Sequence, residues 1–66
     1  MKFIEVVESI DKTTLLLNID NISVIWKESN TIMMSGNHKQ GDGLFFFDKE
    51  NFNKIINGVK KYGTKN

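Results

Sequence analysis

Short apolar segments, in which apolar and polar side chains often alternate, are separated by turn residues along most of this chain. Alternation with a period of two is typical of a half-buried β-strand. On the third segment, Ile22, Val24 and Trp26 are expected to share one face, and on the first segment Ile4, Val6 and Ile10 are expected to do so. The pattern predicts five strands, at about residues 2–10, 14–18, 22–27, 31–35 and 44–47.

The C-terminal part of the chain has a helical period instead. Apolar residues recur there on one stripe, at Phe52, Ile55, Ile56, Val59 and Tyr62. The spacing predicts an amphipathic helix over about residues 49–62, with Asp48 as its N-cap. Phe47 and Phe52 match the hydrophobic staple that fixes a helix start. Gly58 costs about 1 kcal/mol relative to alanine within a helix, which suggests that a strand or a second copy approaches it closely.

These elements predict one domain, residues 1–66, of the α+β class. We expect a small curled antiparallel meander of about five strands, resembling a barrel. The C-terminal amphipathic helix is expected to pack over one open end or face. Sequential antiparallel pairing is the economical topology because most connections are short enough for hairpins.

The size of the chain indicates self-association. A domain of 66 residues buries only about 60% of the surface that its unfolded chain exposes. Small domains often compensate with disulfides, a metal or oligomerisation. The sequence contains no cysteine and only one histidine, His38, so neither a disulfide nor a metal site within one chain is expected. We therefore expect a homo-oligomer.

The charges are few and unevenly placed. Residues 1–35 carry three lysines and five carboxylates, whereas residues 36–66 carry six lysines and three carboxylates. This asymmetry favours either head-to-tail assembly or an ordinary solvated surface. All nine basic residues are lysine, whereas arginine is the usual reader of guanine edges and phosphates. Nucleic acid is accordingly the less favoured partner.

The residue inventory does not support an enzyme. There is no thiol, no second histidine to join His38, and no glycine-rich phosphate-binding motif. A serine nucleophile needs a base and an orienting acid beside it. Glu5 and Glu8 are expected to face opposite sides of a strand, which does not make an acid/base pair. We expect no catalytic residues, no metal and no cofactor.

The sequence also predicts a soluble, cytoplasmic chain with no membrane partner. Residues 1–10 include Glu5 and Glu8 and have no features of a secretory signal. No apolar run approaches the roughly 18 residues of a transmembrane helix. The absence of cysteine fits a reducing compartment.

The glycine-rich segment Gly36–Gly43 is the candidate ligand site. Its backbone N–H groups, with the charge of Lys39 and the ring of His38, suit a small anionic ligand. A plain mobile connection between strands is the alternative. The candidate ligand-binding residues are Asn37, His38, Lys39 and Gln40.

A subunit interface is the second candidate site. The run Leu44 to Phe47 has no polar alternate, and a strand that is apolar on both faces must be covered on both. The candidate interface residues are Trp26, Met33, Met34 and Phe45. Their burial in the core of the chain itself is the alternative.

Some segments resemble known small proteins. Leu15 to Ile25, then Thr31 to Met34 with Gly36, and the closing helix Phe52 to Tyr62 are similar to the small flagellar and swarming-motility protein family and to short phage proteins of like pattern. In these, an Asn/Asp-containing apolar corner precedes a hairpin, a glycine turn, a final strand and a short helix. The resemblance implies this strand order and a motility-associated regulatory role.

The favoured hypothesis from the sequence is a non-catalytic binding or regulatory module that acts as a homo-oligomer. Such a module sequesters a small ligand or occupies a partner protein, as a phage-encoded inhibitor of a host defence does. The alternatives are a nucleic-acid-binding module and a motility-associated regulator.

Overall fold

The computed structural model describes residues 2–35 and 43–63. Five strands, a 3-10 helix and a C-terminal helix follow one another: β1 (Phe3–Val7), β2 (Thr14–Asn18), the 3-10 helix (Ile19–Asn21), β3 (Ile22–Trp26), β4 (Thr31–Met34), β5 (Leu44–Phe46) and α1 (Lys49–Gly58). A π-helical turn (Val59–Gly63) continues α1. The predicted α+β class, with five antiparallel strands and one C-terminal helix, is confirmed.

The strands form two sheets, β1–β2 and β3–β4–β5, where the sequence predicted one curled, barrel-like sheet. The division falls at the 3-10 helix, which turns the chain between β2 and β3. Asn18 caps this helix, because its side-chain Oδ1 accepts the backbone N–H of Asp20 at 3.0 Å. Asparagine bonds its own backbone readily, so the corner closes locally and β3 does not return beside β2.

Strand β1 ends at Val7, three residues before its predicted end. The carboxylate of Glu8 accepts the backbone N–H groups of Ile10 and Asp11 at 3.0 and 2.8 Å, and this turns the chain out of the strand direction. Ile10 is 66% exposed as a result. Its expected place on the core face with Ile4 and Val6 is therefore wrong.

Strand β3 contains a bulge. Ile22 pairs with Met34, but Val24 already pairs with Met33, so β3 holds one extra residue between these two pairs. A bulge reverses which face the following residues occupy. Ile22 and Ile25 consequently pack against the core, whereas Val24 and Trp26 are exposed. The predicted common face of Ile22, Val24 and Trp26 is wrong for this reason.

The core lies between the inner faces of the sheets and α1. Its fully buried side chains include Val6 of β1, Ile32 of β4 and Ile55 of α1. The whole buried cluster consists of Val6, Leu17, Ile32, Met34, Phe47, Phe52 and Ile55. The two phenylalanines that flank the helix start are both buried, as the hydrophobic staple predicts.

The helix starts as predicted and leaves the α-helical form early. Asp48 is the N-cap, and its carboxylate accepts the backbone N–H of Asn51 at 2.8 Å. The α-helix ends at Gly58, and the wider π-helical turn follows where continuous α-helix was expected. The change of form falls at the residue with the least helix propensity in the segment.

A strand does approach Gly58. A Cβ atom at this position would overlap the Cδ1 atom of Ile4 and lie 3.1 Å from the Cδ1 atom of Ile19. The glycine therefore lets the end of α1 sit directly on β1. No helix in residues 2–35 and 43–63 is long and apolar enough to cross a membrane.

Candidate functional site: two apolar sheet faces

The predicted ligand-binding residues Asn37, His38, Lys39 and Gln40 lie outside the described residues. The four predicted interface residues are all described, and the structure divides them into two pairs. Trp26 and Met33 lie on the outer face of the three-stranded sheet, whereas Met34 and Phe45 lie on its inner face.

The inner pair belongs to the core of the chain. Met34 is buried within the core cluster, and Phe45 packs against that cluster. Phe45 pairs with Ile32 across the sheet, and the fully buried Ile32 fixes that face as the inner one. Met34 and Phe45 therefore contact the core of their own chain, and their role in a subunit interface stays a prediction.

The outer face of the three-stranded sheet carries two cross-strand rows. Trp26, Thr31 and Phe46 form one row, and Val24, Met33 and Leu44 form the other. Directly opposed side chains in such rows lie about 5 Å apart at Cβ, so the apolar members make one continuous surface. We call it the Trp26 face, and it consists of Val24, Trp26, Met33, Leu44 and Phe46.

The Trp26 face is open and uncharged. Trp26 is 41% exposed, and Phe46 and Val24 are each 38% exposed. The one polar side chain in its rows, Thr31, is buried, and its hydroxyl bonds the hydroxyl of Ser29 at 2.9 Å. No spare polar group therefore interrupts the apolar surface.

Phe46, rather than Phe45, lies on the outer face of the three-stranded sheet. A signal for this was present, because Phe47 is fixed inward by the helix staple and side chains alternate along a strand. Alternation back from Phe47 places Phe45 inward and Phe46 outward, as observed.

The hairpin β1–β2 has a second apolar outer face. Glu5 pairs directly with Leu16, and Phe3 and Val7 lie two residues away from Glu5 on the same strand. Leu16 is 69% exposed and Phe3 is 48% exposed. Thr14 and Asn18, the partners of Val7 and Phe3, lie on the same side of the hairpin. We call the surface formed by Phe3, Glu5, Val7 and Leu16 the Glu5 face.

A network of hydrogen bonds from two buried polar side chains holds the sheets and the helix in place. Glu8 accepts the backbone N–H of Phe46 at 3.2 Å through Oε2, and Asn51 accepts the backbone N–H of Val7 at 3.0 Å through Oδ1. Asn51 also donates its side-chain amide to Asp48 at 3.0 Å. The sequence analysis missed both roles, because each depends on contacts with residues distant in the chain.

The charge of Asp48 is stabilised locally. Its carboxylate accepts hydrogen bonds first from the backbone N–H and then from the side-chain amide of Asn51, and these lower the pKa of Asp48 below its usual value. Lys12 and Lys54 add weaker favourable charge, while partial desolvation opposes the shift. This arrangement is that of a structural helix cap.

The described residues offer little for chemistry. No group of three or more histidine, cysteine, aspartate or glutamate side chains in residues 2–35 and 43–63 is arranged to hold a metal ion. Every buried polar side-chain atom in these ranges has a hydrogen-bond partner. A groove of about 420 Å³ lies beside β3 and is lined by Ile19, Asp20, Ile22, Ser23, Ile25 and Val59.

No family model, curated protein or solved structure matches this chain. The resemblance to small motility and phage proteins therefore stays a prediction.

Proposed function

We propose that the chain is a non-catalytic, cytoplasmic binding module that acts as a homo-oligomer, with the Trp26 face as the contact between copies. One observation carries this proposal: five apolar side chains share an open sheet face that has no charged residue. Contiguous exposed apolar surface of this kind is typical of interaction sites.

A second copy is the occupant that suits this face. In a two-fold contact the same patch meets itself, so a charge near the axis faces its own copy. The Trp26 face avoids that repulsion because its rows are neutral. The adjoining β3–β4 turn carries Lys27 and Glu28, both exposed, and a two-fold axis nearby lets the cation of one copy meet the anion of the other.

The size of the face sets the expected strength of the contact. A standard interface buries about 800 Å² on each partner, and the whole chain exposes only 4779 Å². Three strands at normal spacing are about 10 Å wide between the outer strand axes. The Trp26 face therefore supplies only part of the roughly 800 Å² of a standard interface, and the β3–β4 turn must supply more. We therefore expect a dimer that dissociates on dilution.

Such a dimer presents its remaining surfaces in pairs. Two copies joined through the Trp26 face hold two hairpins with fixed geometry, and paired binding surfaces raise the avidity for a partner without any new contact. Sequestering a ligand or occupying a partner protein needs only this kind of binding.

The test is the mass of the protein in solution as a function of concentration, measured by analytical ultracentrifugation. The wild type is expected to show a multiple of the 7.6 kDa chain mass that declines on dilution. Trp26→Glu and Val24→Glu should each remain monomeric, with circular dichroism showing that they fold. Leu16→Glu, a matched change on the other sheet, should leave assembly unchanged. A wild type that is monomeric at millimolar concentration, or a Trp26→Glu variant that assembles normally, would refute the proposal.

A further inference from the structure

The Glu5 face has a composition that is unusual for the solvent side of a hairpin. The outer face of an antiparallel sheet is normally polar, yet three of the six paired side chains on this face are apolar and exposed: Phe3, Val7 and Leu16. The one charged group on this face, the Glu5 carboxylate, lies between these apolar side chains. Leu16 lies directly across from it, with Phe3 and Val7 on either side along β1.

The carboxylate of Glu5 forms no ion pair with any lysine of residues 2–35 and 43–63. No lysine in these ranges therefore competes for it with a cation from another molecule. Apolar neighbours exclude water around an incoming group, and a charge pair is stronger where water is excluded than on an open surface. The apolar side chains and the carboxylate thus both favour a ligand that carries a cation on an apolar stem.

From this arrangement we infer that the Glu5 face binds a basic amphipathic segment of a partner protein. A lysine or arginine side chain of that segment lays its aliphatic stem over Val7 and Leu16 and places its charged head at Glu5. The ring of Phe3 adds a cation–π contact. Apolar residues next to the cation in the partner segment cover the rest of the Glu5 face.

The charge on this face also disfavours the other occupants. A two-fold contact between copies would bring Glu5 against Glu5, and like charges that face each other weaken an interface. Nucleic acids and anionic membrane surfaces are repelled for the same reason. This inference rests on the proposed binding function and names its partner, but it uses a different sheet from the contact between copies.

The test is selection of short random peptides on immobilised protein, in parallel on the wild type, Glu5→Lys and Glu50→Lys. Peptides selected on the wild type should carry lysine or arginine flanked by apolar residues. On Glu5→Lys the charged position should change to aspartate or glutamate. Glu50→Lys, which makes the same charge change on the exposed first turn of α1, should select the wild-type set.

One selected peptide is then titrated against further variants. Glu5→Gln should weaken its binding about fivefold, as for a surface ion pair worth about 1 kcal/mol. Leu16→Ala should weaken it about tenfold, through lost apolar contact. Binding to the wild type should fall with added salt, and binding to Glu5→Gln should fall less.

Three results would overturn the inference: no peptide enriched on the wild type, enriched peptides without a cation, or an unchanged selection on Glu5→Lys. A lower solution mass for Glu5→Lys would also overturn it, since the occupant would then be a second copy. Absence of peptide binding would not affect the proposal for the Trp26 face, because that proposal is tested by the solution masses of the wild type, Trp26→Glu and Val24→Glu.

Discussion

The carboxylate of Glu8 accepts the backbone N–H of Phe46, a residue 38 positions further along the chain. The backbone N–H of Ser9 also donates to the carbonyl oxygen of Phe46, at 2.8 Å. These two bonds fasten the turn after β1 to the outer edge of β5. One sheet is thereby joined to the other through backbone groups, with a single buried carboxylate at the junction.

We expect Glu8→Gln to destabilise the fold by about 1–3 kcal/mol, which is the usual cost of leaving a buried hydrogen-bonding group without its partner. The amide offers one acceptor where the carboxylate serves three backbone N–H groups. Urea unfolding followed by circular dichroism measures the change. Glu5→Gln is the matched control, and equal stability of the two variants would show that the Glu8 bonds contribute little.

Acid should weaken the helix cap. The pKa of Asp48 is lowered in the folded chain, mainly by the backbone N–H of Asn51. A group with a lowered folded pKa adds stability above its unfolded pKa, and this is lost as the pH falls through the folded pKa. Below about pH 4, near the unfolded pKa of aspartate, the urea midpoint of the wild type should therefore fall.

Asp48→Asn isolates this contribution, because asparagine keeps a side-chain oxygen that can cap the helix but does not titrate. The variant should be less stable than the wild type at neutral pH, and the difference should shrink toward pH 2. Parallel curves of urea midpoint against pH for the two proteins would contradict the assignment.

The core should respond strongly to small cavities. Ile32 and Ile55 are both 0% exposed, one from the central strand of the three-stranded sheet and one from the helix. We expect Ile32→Val and Ile55→Val each to cost about 0.5–1.5 kcal/mol, measured by urea unfolding. Ile10→Val, at a position open to solvent, is the control. A cost at Ile10 as large as at Ile32 would mean that Ile10 is covered in solution.

The parts of this fold that the sequence predicts are those built from neighbours in the chain. Asp48 and the Phe47–Phe52 pair lie within six residues of one another, so the helix start follows from local chemistry alone. The turn residues between the strands are equally local. Lys12 and Asn30 both adopt positive φ, at 59° and 53°, in turns that the sequence predicted.

The parts that the sequence does not predict depend on contacts between distant segments. The end of β1 depends on Glu8 reaching Phe46, and the outward position of Trp26 depends on a bulge in the pairing of β3 with β4. One extra residue in a strand exchanges its two faces. The apolar residues of β3 are therefore visible in the sequence, but their assignment to an inner or an outer face depends on the bulge and is not.

The contact between Gly58 and Ile4 should reverse the usual effect of a glycine-to-alanine change in a helix. Alanine normally gains about 1 kcal/mol over glycine there. In this chain the new Cβ atom would overlap the Cδ1 atom of Ile4 and lie 3.1 Å from its Cγ1 atom. Gly58→Ala should consequently lower stability, whereas Asn57→Ala, its exposed neighbour in α1, should be neutral or slightly stabilising.

A double-mutant cycle separates this clash from any other effect of the alanine. Ile4→Val removes the Cδ1 atom that the new methyl group would meet, so Gly58→Ala should cost less in that background. The coupling between the two changes, measured by urea unfolding, should fall in the range of about 0.5–3 kcal/mol that is usual for side chains in contact. Simple additivity of the two changes would mean that α1 shifts away from β1 to admit the methyl group. In that case the close packing of the helix end on the hairpin would not be what requires glycine at this position.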